Sequence, residues 1–65
     1  MTYEAVLKNL LRTNKISHNI DEEYTDDFEW KITLTIKDTS YHAWHTEPDE
    51  AYFTVLCVVF NHLTA

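Results

Sequence analysis

The chain has 65 residues, with 11 Asp and Glu against 5 Lys and Arg, a net charge of −6 with His neutral, no glycine, one proline and one cysteine. A length of this order makes one domain, residues 1–65, because a single core is already marginal at that size. Without glycine there is no Gly-rich phosphate cradle, which excludes P-loop and dinucleotide-binding sites, and one cysteine excludes an internal disulfide and a Cys-only zinc site.

Residues 2–14 are expected to form a helix. Tyr3, Val6, Leu7, Leu10 and Leu11 fall at the i, i+3, i+4, i+7, i+8 spacing of one helix face. Thr2 can cap the free N–H groups, and Lys8, Arg12 and Lys15 lie toward the end that suits cations. Ile16 to Ile20 alternates weakly and reads as a short strand, followed by a polar loop over Asp21 to Asp27.

Phe28 to Lys37 carries the clearest strand signal. Phe28, Trp30, Ile32, Leu34 and Ile36 alternate with Glu29, Lys31, Thr33, Thr35 and Lys37, so one face is buried and the other solvated. A hairpin with Tyr41 to His45 follows, in one of two registers. A two-residue loop at Asp38-Thr39 pairs Ile36 with Tyr41 and leaves Trp44 on the open face. A three-residue loop ending at Ser40 pairs Leu34 with Trp44 and buries it. One residue of slip exchanges the faces. Asp38-Thr39 suits a tight turn poorly, so the longer loop and a buried Trp44 are expected.

Thr46-Glu47-Pro48-Asp49-Glu50-Ala51 marks a helix start, with Thr46 as cap, Pro48 in the first turn and the three carboxylates of Glu47, Asp49 and Glu50 at the positive end of the dipole. The helix should run from Glu47 to His62, with Tyr52, Val55, Leu56, Val59, Phe60 and Leu63 as its core stripe. Phe53, Cys57 and Val58 lie outside that stripe, and this second face either packs on the first helix, the plainer reading, or meets another subunit as a candidate dimer face. The expected fold is therefore α+β, in the order α-β-β-β-α, with a three-stranded antiparallel sheet and two helices on one face.

The apolar share of 45% and aromatic share of 14% are those of a folding chain. With no disulfide, large side chains or a second copy must supply the staple. The longest apolar run, Val55 to Phe60, is far short of the ~20 residues of a membrane span. No signal peptide is evident at the first residues. The unpaired Cys57, read as a core thiol, suits a reducing compartment, so a cytoplasmic chain without membrane contact is expected.

The densest chemical feature is Asp21 to Glu29, where Asp21, Glu22, Glu23, Asp26, Asp27 and Glu29 put six acids in nine residues. Residues 1–15, by contrast, carry Lys8, Arg12 and Lys15 against Glu4. Spaced carboxylates can imitate a phosphate backbone and occupy a basic groove. The plainer reading is a solvated loop that keeps the chain soluble. Calcium is disfavoured, because the run lacks the EF-hand spacing and its glycine. His42 and His45 point to opposite faces of a strand, so a mixed zinc site with Cys57 and His62 is a poor fit. No nucleophile, acid–base pair or pocket context defines a reaction. The expectation is no enzyme, no cofactor and no metal. Five scattered basic residues also argue against direct nucleic-acid binding.

Taken with the segments Tyr3–Asn14, Phe28–Lys37, Tyr41–Thr46 and Pro48–Leu63, the acidity and element order resemble small phage-encoded inhibitors of the anti-CRISPR kind. The resemblance covers nearly the whole chain as architecture and charge, and no motif is shared. It implies a stoichiometric inhibitor that blocks a basic, nucleic-acid-handling host protein or complex in the host cytoplasm by acting as a DNA mimic. Partner contacts are then expected from Asp21, Glu22, Glu23, Asp26, Asp27 and Glu29, and from Glu47, Asp49 and Glu50. Tyr24 and Trp44 are expected as aromatic anchors. The alternative is a homodimeric structural or regulatory module, antitoxin-like or accessory, paired through Phe53, Cys57 and Val58.

Overall fold

The computed structural model describes residues 2–64. Two helices, α1 (Tyr3–Thr13) and α2 (Pro48–Thr64), flank three strands, β1 (Asn19–Tyr24), β2 (Trp30–Ile36) and β3 (Thr39–His45). The fold is α+β in the expected order. The strands form one antiparallel sheet with β2 central, and the helices cover one face.

Helix α1 opens as its sequence dictates, with Thr2 Oγ1 accepting the Ala5 N–H at 3.1 Å. Its end is a Schellman closure: the Lys15 N–H reaches the Arg12 carbonyl at 3.0 Å and the Ile16 N–H reaches the Leu11 carbonyl at 2.9 Å. Lys15 takes φ 55, the left-handed conformation that glycine normally supplies there. Ile16 is thereby turned back onto the core beside Leu11; it belongs to this closure and not to a strand.

Strand β1 begins three residues later than the alternation suggested and runs through the acids expected to form a loop. The register pairs Ile20 with Leu34 and Glu22 with Ile32, so Ile20 and Glu22 share the helix side, while Asp21 and Glu23 face away. Asp and Glu are poor strand formers, but on an edge strand their charge is compatible with pairing on one side only. It also discourages edge-to-edge association. Glu22 is tolerated on the helix side because the Tyr52 hydroxyl donates to its Oε1 at 2.5 Å.

Strand β2 keeps the expected inner row, with Ile32 and Leu34 fully buried and Trp30 and Ile36 partly so. Phe28 is not part of that row. It sits in the β1–β2 loop, at φ 63 and 73% exposed. The β2–β3 hairpin adopts neither expected register. Ile36 pairs with Thr39, so the two loop residues are Lys37 and Asp38, with Lys37 at φ 56. Lys31 then lies opposite Trp44, and Trp44 is on the open face, half exposed rather than buried. Putting Lys37 in the left-handed region costs about 1–2 kcal/mol, but this register places Ala43 and Tyr41 on the helix side, opposite Ile32 and Leu34.

Helix α2 starts with Pro48 as its first residue, where a missing N–H costs nothing. The Glu47 carbonyl receives the first helical bond, from Ala51 at 3.3 Å, so Glu47 and not Thr46 holds the cap position. The core consists of Leu7 and Leu11 from α1, Ile32, Leu34 and Ala43 from the sheet, and Ala51, Tyr52, Val55 and Val59 from α2. Phe60 and Leu63, expected inside, are 57% and 37% exposed, and Cys57 is an exposed free thiol rather than a core one. The two helices run side by side in the same direction: the Tyr3 ring packs tilted against Phe53 with centres 4.7 Å apart, and Val6 and Leu10 line one groove with Leu56 and Phe60 farther along. No described helix is long and apolar enough to cross a membrane.

Candidate protein-binding surface

The pairing Tyr24–Trp30–His45 defines one end of the sheet. The β1–β2 loop, the β3–α2 junction and the start of α1 all gather there, because the Asp49 carboxylate accepts the Tyr3 N–H at 2.9 Å and the Glu4 N–H at 3.4 Å. Tertiary pairing therefore brings the two acidic segments, 21–29 and 47–50, to the same end of the molecule. Lys15, Lys37 and His62 line a surface cavity at the opposite end. The molecule is polarised along its helices. Both helix N-termini lie at the acidic end, and their dipoles offset part of the mutual repulsion there.

Not every acid at that end is free to meet a partner. Asp49 is committed to the first turn of α1, and Glu22 to Tyr52. Glu4 pairs with Lys8 at 2.7 Å, a hydrogen bond that holds the Lys8 ammonium above its ordinary value. Asp21, Glu23, Asp26, Asp27, Glu47 and Glu50 are exposed, and Glu29 is half-buried beneath the loop.

The β1–β2 loop is built tightly. The Thr25 N–H donates to the Glu29 carbonyl at 2.8 Å, the Phe28 N–H returns to the Thr25 carbonyl at 3.1 Å, and Thr25 Oγ1 accepts the Glu29 N–H at 3.4 Å. Asp26 and Asp27 occupy the tip. Phe28 takes the left-handed position that follows such a turn, where glycine is usual. A large apolar ring is thus held in a costly backbone conformation and gains little burial in return. Beside it Tyr24, 56% exposed, packs edge-on against Trp30 at 5.2 Å.

The open sheet face continues this surface as a three-by-three array. Glu23, Lys31 and Trp44 form one cross-strand row, Asp21, Thr33 and His42 the next, and Asn19, Thr35 and Ser40 the last. Lys31 Nζ sits 5.6 Å from the Trp44 ring centre, the His42 ring centre is 5.8 Å from the same ring, and His42 Nδ1 is 3.1 Å from Thr33 Oγ1. Trp44 projects from this face half exposed, with Lys31 between it and the Glu23 carboxylate of the edge strand.

His42 and His45 point to opposite sides of β3, as expected; His45 Nδ1 accepts the Glu47 N–H at 3.1 Å. Among the described residues no three His, Cys, Asp or Glu side chains come together as metal ligands would. Of the candidate dimer face, Phe53 and Cys57 lie on the outer side of the helix layer. Val58 is half-buried and does not line the groove beside them. Sequence reasoning missed Phe28 as a surface residue. Its one signal was the position after Asp26-Asp27 in a chain without glycine, where a left-handed turn residue has to be something else. No family model matches the chain, and neither a curated protein nor a solved structure matches it.

Proposed function

We propose that the chain is a non-enzymatic, stoichiometric inhibitor whose acidic end occupies a basic, nucleic-acid-binding surface of a protein target. Phe28 is the observation that carries this reading. A solubilising loop gains nothing from an exposed aromatic ring in a strained backbone, whereas interfaces use rigid aromatic anchors surrounded by complementary charge. In this reading Asp21, Glu23, Asp26 and Asp27 stand in for phosphates, and Phe28, Tyr24 and Trp44 supply the desolvated contacts. The resemblance in architecture and acidity to phage-encoded anti-CRISPR inhibitors supports the same role. In this reading the chain acts in the cytoplasm of the cell whose complex it blocks.

The test is affinity capture at low salt with wild type, Asp26→Lys/Asp27→Lys and Phe28→Ser, followed by competition with duplex DNA and RNA. Wild type should recover a nucleic-acid-binding protein that added nucleic acid displaces, and both variants should lose it. Recovery of the same protein by both variants, or indifference to competing nucleic acid, would sink the proposal.

A further inference from the structure

Away from the acidic surface, the outer side of the helix layer carries an apolar groove of about 540 Å³. It is lined by Val6 and Leu10 of α1 and by Leu56, Cys57, Phe60 and Asn61 of α2. Phe53 extends it toward the acidic end, its ring tilted against that of Tyr3. A large aromatic, 57% exposed, on a helix whose sheet side is already filled is unpartnered surface. We infer that this face is the interface of a two-fold dimer of the chain, with α2 antiparallel to the α2 of the second copy and the two Cys57 side chains facing each other near the axis.

Two isologous arrangements stack one helix layer on another. An axis along the helices sets α2 over the partner's α1 with all helices parallel, which brings acidic end onto acidic end. An axis across the helices runs them antiparallel, and the charge polarity selects this one. It places Glu50, at the start of α2, over the end of the partner's helix layer that carries Lys15 and His62. It also opposes the helix dipoles. The apolar line on α2 is self-complementary about its midpoint: Phe53 and Phe60 lie almost equally far on either side of Cys57, so each Phe60 meets the other copy's Phe53. The footprint is adequate. The molecule is a plate of 33 × 28 × 18 Å whose helix layer is one broad face, and an ordinary interface covers ~800 Å² per partner. This dimer leaves Asp21, Glu23, Phe28 and Trp44 uncovered, and it stands or falls independently of what the acidic end binds.

The test is the solution mass of the full chain at about 100 µM, together with crosslinking by a short bismaleimide through Cys57. Wild type should give twice 7.7 kDa and crosslink nearly completely. Phe60→Glu, at an exposed position, should give the single-chain mass with an unchanged circular dichroism spectrum and lose the crosslink. A single-chain mass for wild type overturns the inference and leaves the groove to a different protein. A wild-type dimer that does not crosslink at Cys57, or one that Phe60→Glu leaves intact, overturns it as well, because an interface away from the groove keeps the two thiols apart; so does a Glu50→Cys/Cys57→Ala variant that crosslinks to its own copy, because only the parallel arrangement sets the two helix starts side by side.

Discussion

Tyr52 on α2 and Glu22 on β1 are thirty residues apart in sequence and share a 2.5 Å hydrogen bond at the edge of the core. The bond allows a carboxylate on the helix side of an edge strand and gives the buried tyrosine its polar partner. Tyr52→Phe should cost about 1 kcal/mol by losing this bond, the exposed Glu22 carboxylate turning to water instead. Tyr52→Phe/Glu22→Leu should recover part of that loss, since leucine adds apolar contact on the helix side of β1. Burial, followed by the bond to Glu22, pushes the Tyr52 hydroxyl well above its ordinary value of 10.0. Below about pH 10 the folded and unfolded chains both keep this proton; above it the unfolded chain releases it first. Stability should therefore fall as pH rises past 10, by at most about 1.4 kcal/mol per pH unit from this group. Urea titrations at pH 9 to 11 should show a shallower decline for Tyr52→Phe than for wild type. Parallel slopes would place the sensitivity elsewhere.

Asp49 and Asp26 test the division between structural and free acids. Asp49→Asn keeps one acceptor for the first turn of α1 but loses its charge, and Asp49→Ala loses both. The alanine variant should be less stable by about 1 kcal/mol, with the asparagine variant in between. Asp26→Ala, at an exposed loop tip, should stay within about 0.5 kcal/mol of wild type. Denaturation midpoints at constant m-value measure all three.

Trp44 reports the hairpin register. On the open face it contributes contacts with Lys31 and His42 and little burial, so Trp44→Ala should cost no more than about 1 kcal/mol. Ile32→Ala, in the core, should cost about 2–5 kcal/mol. A loss for Trp44→Ala in the range of about 3–5 kcal/mol would mean that the side chain is buried and the register differs.

Glycine at the left-handed positions should stabilise. Lys15→Gly and Lys37→Gly each remove a side chain from a conformation that disfavours it, and each should gain about 1 kcal/mol. Phe28→Gly should gain a similar amount while abolishing capture of the target, so that stability and binding move in opposite directions. A Phe28→Gly variant that binds as wild type would return the ring to a purely local role.

The legible parts of the fold were those whose signals are local. The α1 stripe, the inner row of β2, and Pro48 at the head of α2 each follow from spacing or dihedral preference within a few residues. Strand β1 was hidden because its residues are poor strand formers, and because Glu22 is made acceptable by Tyr52, a partner far along the chain. The hairpin register was hidden because the turn chemistry offered no glycine to read, and Lys37 adopts the glycine conformation unannounced. At the candidate site, the acids of 21–29 and 47–50 were visible as composition. Their meeting at one end depends on sheet pairing, and the commitment of Asp49 to α1 depends on a contact across 46 residues.

The side-by-side, same-direction arrangement of α1 and α2 also constrains the order of assembly. Two neighbouring helices that point the same way cannot be joined by a tight turn, and here the whole sheet lies between them in the chain. The β2–β3 hairpin and the start of α2 can form from nearby residues. Docking of α1 must close a loop of more than forty residues, the last and entropically most expensive step. Helix α1 should accordingly be the first segment to exchange its amide hydrogens. A protease that cuts around Ser17 should reach a species in which the sheet and α2 still hold together.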